Sequence, residues 1–414
     1  MFQKLKNIYH FLTAWTFQAI YGFPYKKLRI VGITGTDGKT ITSSMIYHVL
    51  KTAGKKVSVI TSVAATIGGK NLDTGFHVTT PDPQDIPKYM SESVKKGDEF
   101  FVFEITSHGL DQHRAAGVRF EISGITNITH EHLGYHKTYG YYVAAKAKIA
   151  NLSKKVIVNS DQEGLVDDVR KFASKANIKT FGFYSNADYS RDISQFVTKI
   201  YLEQFNKYNA LLAYSICREL GITDSEFDAA LESFVFPPGR MEEVYKGDIV
   251  VISDFAHTPN AISECLPAAI KKYKNINRLI HVFGAAALRD DSKRNDMGRA
   301  SGLHANVVIL TEEDYRTEDP QRIFAMLAAG LEEKGFSEIH PSAVPTGIPN
   351  KSYMKILNRD EAIKKAIEIS MRGDVIVITG KAQEASLCRG KVEYPYNEKN
   401  SIKEALRAKG INIA

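Results

Sequence analysis

A lysine and a threonine follow a glycine-rich turn near the start of the chain, at Gly38, Lys39 and Thr40. An apolar run, Leu28 to Ile33, precedes the turn, and apolar residues at helical spacing follow it. In this order the backbone N–H groups and the helix N-terminus face phosphates, the lysine adds positive charge, and the threonine hydroxyl can ligate magnesium. Five residues, not four, separate Gly32 from Gly38, so the turn is a variant phosphate loop. These residues predict an ATP site; an ordinary strand–turn–helix is the alternative.

A carboxylate and several histidines follow two further apolar runs. Glu104 is at the end of the run Glu99–Ile105, and His130, His132 and His136 come after the run Ile122–Thr126. Ligands bind at the carboxyl ends of strands in open α/β sheets, so these side chains are expected near the phosphate loop. Their position favours a hard cation beside a triphosphate, and the clustered histidines leave zinc as the alternative.

Alternating strand and helix patterns must position these residues. The candidate strands are Leu28–Ile33, Lys56–Thr61, Glu99–Ile105, Ile122–Thr126, Lys155–Asn159 and Thr180–Phe183, then Asp248–Ser253, Arg278–Phe283, Asn306–Thr311 and Asp374–Thr379. Such alternation predicts an α/β fold with mostly parallel sheets. The cluster Pro237-Pro238-Gly239 marks a domain boundary. We therefore predict an N-terminal helix over 1–27, a nucleotide-binding domain over 28–238 and a second α/β domain over 239–414.

The overall composition is that of an ordinary globular protein. The 414 residues are 43% hydrophobic and 24% charged, with a net charge of +7. The sequence has no arginine-rich tract, so small anionic substrates are favoured and nucleic acid is not a predicted partner. Cys217, Cys265 and Cys388 are far apart and lack metal-ligand or redox spacing, which predicts buried thiols in the cytoplasm.

The N-terminal segment is aromatic-rich and basic at both ends. Its apolar residues recur near helical spacing, at Phe2, Leu5, Ile8, Leu12, Trp15, Ala19 and Phe23. The segment is too short to span a bilayer comfortably and lacks a signal-peptide cleavage site. Three hypotheses remain: a helix packed on the protein body, an interfacial membrane anchor, and a dimer contact. We predict a cytoplasmic monomer, with peripheral membrane contact through residues 1–27 left open.

An ordered series of motifs resembles the Mur ligase family, most closely its MurE type. The motifs are TGTDGKT (Thr34–Thr40), TTPDP (Thr79–Pro83), SHGLDQHR (Ser107–Arg114), TNITHEHLGYH (Thr126–His136), YVAAK (Tyr142–Lys146), FNKYN (Phe205–Asn209), GRMEEV (Gly239–Val244), DFAHTP (Asp254–Pro259), LRDDSKR (Leu288–Arg294), RTEDP (Arg316–Pro320) and GKAQE (Gly380–Glu384). The resemblance implies a P-loop-type central domain and a Rossmann-like C-terminal domain. It also implies ATP-dependent amide synthesis through an acyl phosphate, adding an amino acid to a muramoyl-peptide precursor.

The resemblance implies roles for residues around ATP and Mg²⁺. The catalytic set is Lys39, Glu104, His132, Lys146 and Arg240. The nucleotide-binding set is Gly35, Thr36, Asp37, Gly38, Lys39, Thr40, Ile41, Asn209, Arg240, Asp254 and His257. The magnesium ligands are Thr40, Glu104, His132 and Lys146, the last as a carbamate, whose negative charge suits a metal. Without the resemblance, Lys146 would be interpreted as a solvated lysine on a helix.

The resemblance also implies two substrate pockets. Residues for the sugar-peptide acid are Thr79, Thr80, Ser107, Gln112 and Arg114. Residues for the incoming amino acid are Arg289, Asp314, Arg316, Gly380 and Glu384. An arginine for a carboxylate and a glutamate for an ammonium suit a zwitterionic group. The alternative for Arg316 is a surface pair with Glu318 or Asp319.

The sequence departs from the family pattern in two regions. Only some 27 residues precede the ATP-binding strand, so we expect the usual N-terminal UDP-binding domain to be absent. In the acceptor region DNPR reads Glu313-Asp314-Tyr315-Arg316, and GKGHE reads GKAQE. The acceptor therefore stays open among meso-diaminopimelate, lysine, another diamino acid and an unfamiliar amine. Competing hypotheses are a Mur-fold ligase for a polyglutamate-like or cyanophycin-like acid, and a non-catalytic nucleotide-binding partner docked at a membrane.

Overall fold

The computed structural model describes residues 2–72, 79–129, 133–193, 204–288, 290–343 and 348–412. The chain divides into two compact units, Met1–Pro237 and Pro238–Ala414. Each unit contains a mostly parallel sheet with helices on both faces. This architecture confirms the predicted α/β fold class.

The first unit contains nine helices and one sheet among its described residues. Its strands are β1 (Arg29–Thr34), β2 (Val57–Ile60), β3 (Ala65–Ile67), β4 (Lys70–Leu72), β5 (Phe100–Glu104), β6 (Phe120–Ile125), β7 (Ser153–Asn159) and β8 (Ile178–Phe181). Its helices are α1 (Phe2–Ile20), α2 (Lys39–Thr52), α3 (Asp85–Lys95), α4 (Ser107–Asp111), α5 (Leu133–His136), α6 (Tyr139–Asn151), α7 (Leu165–Phe172), α8 (Gln204–Glu219) and α9 (Asp224–Glu232). The strand order is β4-β3-β2-β5-β1-β6-β7-β8, and only the β2–β3 and β3–β4 pairs described here are antiparallel.

Strand β1 lies inside this sheet and is buried on both faces. Val31 and Ile33 enter the core under α2, α8 and α9, whereas Ile30 enters the core under α3, α6 and α7. Successive strand side chains point to opposite faces, so a strand covered on both faces is a continuous apolar run. This is why the sequence pattern identifies the strand.

The strand order brings three chemically important segments to one edge of the sheet. β5 and β6 flank β1 and run parallel to it, with Ile33 in register with Glu104 and Thr34 in register with Ile125. The carboxyl ends of these three strands therefore meet. The loop after β1, the carboxylate of Glu104 and the segment after β6 lie together at this edge.

The second unit repeats the layered plan with a different strand order. Its strands are β9 (Glu242–Lys246), β10 (Val250–Asp254), β11 (Leu279–Phe283), β12 (Val307–Leu310), β13 (Ser337–Glu338), β14 (Ser352–Lys355), β15 (Val375–Thr379), β16 (Ser386–Arg389) and β17 (Val392–Pro395). Its helices are α10 (Pro259–Lys272), α11 (Arg294–Gly302), α12 (Pro320–Glu332), α13 (Arg359–Glu368) and α14 (Glu398–Ala408). The main sheet has the order β13-β14-β12-β11-β15-β10-β9, with β9 antiparallel, and β16 and β17 form a separate hairpin.

Helix α1 contacts the rest of the first unit near the turn that follows α4. Asn7 Nδ2 donates a hydrogen bond to the Asp111 carbonyl over 3.1 Å. The rings of Phe11 and His113 lie 5.9 Å apart. Along the described parts of the chain, no helix combines the length and apolar character needed to cross a membrane.

Candidate active site

The glycine-rich turn between β1 and α2 has backbone geometry that favours glycine. Gly35 has φ +150° and Gly38 has φ +81°. Gly38 is the N-cap of α2 and contributes no side-chain cap. The helix thus begins without an N-cap side chain, and the N–H groups at a helix N-terminus suit phosphate oxygens. Ile41 contributes to this site only through its backbone, because its side chain is in the core.

The segment after β6 holds this turn in place. Thr126 Oγ1 donates to the Asp37 carbonyl over 2.6 Å, and Asn127 Oδ1 accepts from the Asp37 N–H over 3.0 Å. The Thr36 N–H donates to the Asn127 carbonyl over 2.9 Å. A Cβ at Gly35 would lie 1.8 Å from Thr126 Oγ1, so the contact requires glycine. The loop is thus preorganised before any phosphate arrives.

Two lysine side chains converge on the same loop carbonyl. Lys39 Nζ donates to the Gly35 carbonyl over 3.1 Å and to the Thr36 carbonyl over 2.8 Å. Lys146 Nζ donates to the Gly35 carbonyl over 2.5 Å and lies 4.6 Å from the centre of the Tyr142 ring. Lys146 is buried rather than a solvated helix lysine, because α6 packs against the sheet here. The two ammonium groups place positive charge where a triphosphate would bind.

The buried carboxylate of Glu104 lies beside the first residues of α2. Glu104 Oε1 accepts from Thr40 Oγ1 over 3.2 Å, and Oε2 accepts from the Ser62 N–H over 2.9 Å. The Thr40 and Ser62 hydroxyls are 2.9 Å apart. A carboxylate and two hydroxyls next to a phosphate loop are hard oxygen ligands that fit magnesium. Predicted ligand His132 lies outside the described residues.

The zinc alternative stays a hypothesis, because His130 and His132 lie outside the described residues. Within the described part of the chain, no group of three or more His, Cys, Asp or Glu side chains is placed to hold a metal ion. His136 is described, and its Nε2 lies 3.0 Å from Ser107 Oγ. Burial lowers the pKa of His136 to about 4, and Lys146 and Lys148 act in the same direction against Asp111. His136 is therefore a neutral hydrogen-bonding group at pH 7.

The described residues predicted for the sugar-peptide acid form two hydrogen-bonded sets, Thr80 with Gln112 and Arg114, and Ser107 with its neighbour His136. We call these five residues together the acid cluster. Arg114 Nη1 donates to the Thr80 carbonyl over 2.8 Å, and Arg114 Nε donates to Gln112 Oε1 over 3.1 Å. Thr80 Oγ1 accepts from the Thr106 N–H over 2.9 Å, which ties the cluster to the start of α4. Thr79 is half-buried beside it.

Asn209 lies under the phosphate loop. Asn209 Oδ1 accepts from Thr42 Oγ1 over 3.4 Å, and Asn209 Nδ2 donates to Asn206 Oδ1 over 3.1 Å. A Cβ at Gly38 would be 2.1 Å from Asn209 Oδ1. The side chain thus touches the loop directly, and the nucleotide-binding role that the resemblance implies for Asn209 stays a prediction.

In the second unit, Asp254 organises the backbone at the end of β10. Its carboxylate accepts from the Met241 N–H over 2.6 Å and from the Ala256 N–H over 2.8 Å. Burial raises the pKa of Asp254. His257 Nδ1 lies 2.9 Å from the Phe255 carbonyl. Arg240 lies nearby, with its guanidinium 4.7 Å from the Phe255 ring centre.

Predicted acceptor residues in the second unit converge around Lys381. Lys381 Nζ pairs with Asp314 over 2.9 Å and with Glu384 over 2.5 Å. Arg316 pairs with Asp314 over 3.8 Å, not with Glu318 or Asp319. Burial opposes the charge on Lys381, but Glu384 and Asp314 outweigh it, so the pKa of Lys381 is raised.

The backbone of this acceptor cluster is also specialised. Arg316 has φ +49°, a left-handed conformation that is unusual for a side-chain-bearing residue. Its N–H donates to the Cys388 carbonyl over 3.1 Å and its carbonyl accepts from the Gly390 N–H over 2.7 Å. Gly380 has φ +109°, and a Cβ there would lie 3.0 Å from Glu313 Oε2. Predicted acceptor residue Arg289 lies outside the described residues.

Three residues of the candidate site were not predicted from the sequence. Ser62 follows β2, and the rule that strand ends build the site could have identified it. Asn206 precedes Asn209 by three residues, which places both on one helix face. Lys381 belongs to a quoted motif, but only the structure brings it to Asp314.

Two family models match most of this chain. A model described as "Mur ligase middle domain" matches residues 33–216, and one described as "Mur ligase, glutamate ligase domain" matches residues 239–382. A UDP-N-acetylmuramoyl-L-alanyl-D-glutamate–2,6-diaminopimelate ligase of Aquifex aeolicus is 34% identical over 407 residues, covering 94% of this chain and 80% of the relative. The same-named ligase of Caldanaerobacter subterraneus is 31% identical over 403 residues, with coverage of 93% and 80%.

Solved structures give the same result. A structure of UDP-N-acetylmuramoyl-L-alanyl-D-glutamate–2,6-diaminopimelate ligase is 26% identical, with a TM-score of 0.56 and coverage of 93% of this chain and 79% of that one. MurF ligase of Thermotoga maritima in complex with ADP shares the fold, at 16% identity, a TM-score of 0.65, and coverage of 95% and 84%. Both domain matches and the long relatives agree: this chain belongs to the Mur ligase family.

Proposed function

We propose that this protein joins the carboxylate of a muramoyl-dipeptide precursor to the amino group of a diamino acid, at the expense of ATP. One observation carries the proposal: the preorganised loop Gly35–Gly38 accepts hydrogen bonds from Lys39 and Lys146, and the Thr40–Glu104 pair follows it at the start of α2. The names of the Aquifex aeolicus and Caldanaerobacter relatives support this acid and this acceptor.

The reaction we propose has two balanced steps. A carboxylate oxygen of the acid attacks the γ-phosphorus of ATP, the bond to the ADP oxygen breaks, and an acyl phosphate forms. The neutral amine then attacks the acyl carbon, phosphate leaves with that carboxylate oxygen, and the nitrogen loses a proton. The loop N–H groups and Lys39 hold the phosphates while negative charge moves onto ADP.

Magnesium would be held by Thr40 and Glu104, with His132 as the predicted further ligand. When bound, it supplies positive charge that offsets the repulsion between triphosphate and carboxylate. The buried hydroxyl–carboxylate pair supports this role for Thr40 and Glu104. The protein's own contribution is to orient these oxygens, since Ser62 also binds both residues.

We propose that Lys146 acts as a carbamate. The supporting observation is its burial beside the loop, where Lys39 already supplies an ammonium group. A carbamate at this position would replace a second buried cation with an anion that suits a metal. The carbamate also explains why a lysine, rather than an arginine, occupies this place, because only an amine reacts with CO₂.

We propose that the acid cluster holds the sugar-peptide and that the acceptor cluster holds the amino acid. Arg114 and Arg316 supply positive charge for carboxylates, and Glu384 supplies negative charge for an ammonium group. Asp314 already pairs with Lys381 and Arg316, so a zwitterion would enter a cluster with both signs of charge. A diamino acid with a second carboxylate, such as meso-diaminopimelate, suits Arg316.

We further propose a cytoplasmic monomer that touches a membrane only through residues 1–27. The three cysteines support the cytoplasmic assignment, since all are free and buried.

Phosphate release tests the ligase function, with muramoyl dipeptides offered with and without UDP and a panel of amino acids. We expect turnover only when acid and amine are both present, and at least about 100-fold less in Lys39→Ala. ATP binding without stimulated turnover by any pair would instead favour a nucleotide-binding partner.

A further inference from the structure

Helix α1 turns its apolar face away from the protein. At about 100° per residue, one arc of the helix gathers its apolar side chains. These residues, all exposed, are Leu5, Ile8, Tyr9, Leu12, Ala19 and Ile20. The exposed fraction of Leu12 is 58%. We call this surface the apolar face of α1.

The opposite side of α1 contacts the protein and mixes polar side chains with the aromatic rings of Phe11 and Trp15. His10 and Gln18 are buried there, with exposed fractions of 6% and 1%, together with the small side chain of Ala14. Gln18 packs at Gly117, where an added Cβ would lie 3.4 Å from its Cγ. A helix that is stabilised only by its own protein buries the apolar face and exposes the polar one. In α1 the arc that carries Leu5, Ile8 and Leu12 is exposed instead.

The charges around the apolar face all have one sign. Lys4 and Lys6 are the sequence neighbours of Leu5, so they lie about 100° from it on either side, at the two edges of the face. Both are exposed, as are Lys26 and Lys27 after the helix. The first acidic residue of the chain is Asp37. An apolar face bordered by lysines is typical of helices that lie in the interface of an anionic bilayer.

We propose that α1 docks in the headgroup region of an anionic lipid bilayer, with its apolar face at the acyl boundary and its lysines at the lipid phosphates. A second copy of this chain is a weaker fit, because two such faces would bring like charges together.

Docking has a consequence for the acid cluster. α1 contacts the segment from Asp111 to Gly117, which contains Gln112 and Arg114. This segment would therefore lie about one helix diameter, ~10 Å, from the lipid. The consequence for substrate rests on the function proposed above: a sugar-peptide bound by Arg114 would be held at the membrane surface. The docking itself does not depend on that function.

Vesicle sedimentation of the full chain, without ATP, tests the docking. We expect binding to vesicles of phosphatidylglycerol and phosphatidylcholine, and at least tenfold weaker binding to phosphatidylcholine alone.

The double variant L5S/L12S should weaken binding at least tenfold because it removes two large side chains from the face. The variant K4Q/K6Q should weaken binding about fivefold per lysine. Leu303→Ser is the matched control, because Leu303 is 59% exposed in the second unit, and it should bind like the wild type.

Three outcomes would overturn the docking proposal. The first is a wild-type chain that ignores anionic vesicles, and the second is equal weakening by Leu303→Ser. The third is found by sedimentation velocity: the wild type is a dimer and the L5S/L12S variant is a monomer. That result would assign the apolar face of α1 to a contact with a second copy of the chain. Thermal unfolding verifies that each variant is folded, and we expect no change because the substituted side chains are exposed. Phosphate release is measured separately, so failure of the ligase function would leave the vesicle result intact.

Discussion

The phosphate loop contains two glycines, and neighbouring side chains occupy the space where a side chain of these residues would lie. Thr126 occupies the space beside Gly35, and Asn209 occupies the space beside Gly38. The sequence indicated the loop because glycine, lysine and threonine have fixed spacing there. The sequence could not indicate that Thr126 and Asn209 contact the loop. Both residues are distant from the loop in the sequence, and only the tertiary fold brings them to it.

Replacing Gly38 by alanine should damage the loop. The new Cβ would lie 2.1 Å from Asn209 Oδ1, on a backbone with φ +81°. We expect at least about tenfold weaker ATP binding by calorimetry and a loss of about 1–3 kcal/mol in unfolding free energy. Gly54→Ala is the control, because Gly54 has φ +73° with open space around it. Equal ATP affinity in the two variants would contradict this account of the loop.

The carbamate on Lys146 is directly observable. With ¹³C-labelled bicarbonate, we expect a carbamate carbonyl resonance in the wild type and its absence in Lys146→Ala. Lys148 lies on the same helix but pairs with Asp111 over 2.7 Å, so Lys148→Ala should keep the resonance. A spectrum without the resonance in the wild type would leave Lys146 as a plain cation beside the loop.

Arg316 should discriminate between acceptors. If its guanidinium binds a second carboxylate, Arg316→Ala raises KM for meso-diaminopimelate by at least about tenfold and changes KM for lysine much less. Arg322→Ala is the control, since Arg322 is exposed and pairs with Asp291 over 3.1 Å. Steady-state kinetics with both amino acids provide the readout. A uniform effect on the two acceptors would assign Arg316 to the structure of the loop alone.

At the level of elements, the sequence predicted the buried parallel strands well. The run Glu99–Ile105 became β5 (Phe100–Glu104), and Asp374–Thr379 became β15 (Val375–Thr379). These strands are covered on both faces and are therefore continuous apolar runs. The strands β3, β4, β9, β13, β14, β16 and β17 were not predicted. They are short or polar, and their pairing depends on the edge to which they bind.

Strand β11 contains a buried histidine that should affect acid stability. His281 lies between Ser301 Oγ at 2.8 Å and Thr379 Oγ1 at 3.0 Å, and burial lowers its pKa to about 3. The unfolded chain, with an ordinary pKa near 6.5, binds this proton first. Stability should therefore fall as pH drops from about 6.5 towards 3.

The variant His281→Gln isolates this contribution. Its unfolding free energy, measured by urea titration at several pH values, should lose a slope of up to about 1.4 kcal/mol per pH unit in that window. The variant is expected to be less stable than the wild type at pH 7, so only the slope is compared. A slope equal to that of the wild type would show that His281 titrates normally.

At the scale of the whole molecule, two separately packed α/β units carry the two kinds of predicted site. The first unit holds the phosphate loop and the acid cluster, and the second holds the acceptor cluster. The boundary cluster Pro237-Pro238-Gly239 was visible in the sequence because proline and glycine interrupt both helix and strand. The outward orientation of the apolar face of α1 was not visible in the sequence, since periodicity identifies an apolar face without telling which way it points.

Transfer of oxygen from the acid to phosphate distinguishes acyl-phosphate formation from simple hydrolysis of ATP. The acid substrate is labelled with ¹⁸O in the carboxylate, and the released phosphate is analysed by mass spectrometry after turnover with ATP and the amine. The account predicts one ¹⁸O atom in each phosphate, together with an amide product. Phosphate that carries no label while the amide forms would contradict the acyl-phosphate route through the Lys39 loop.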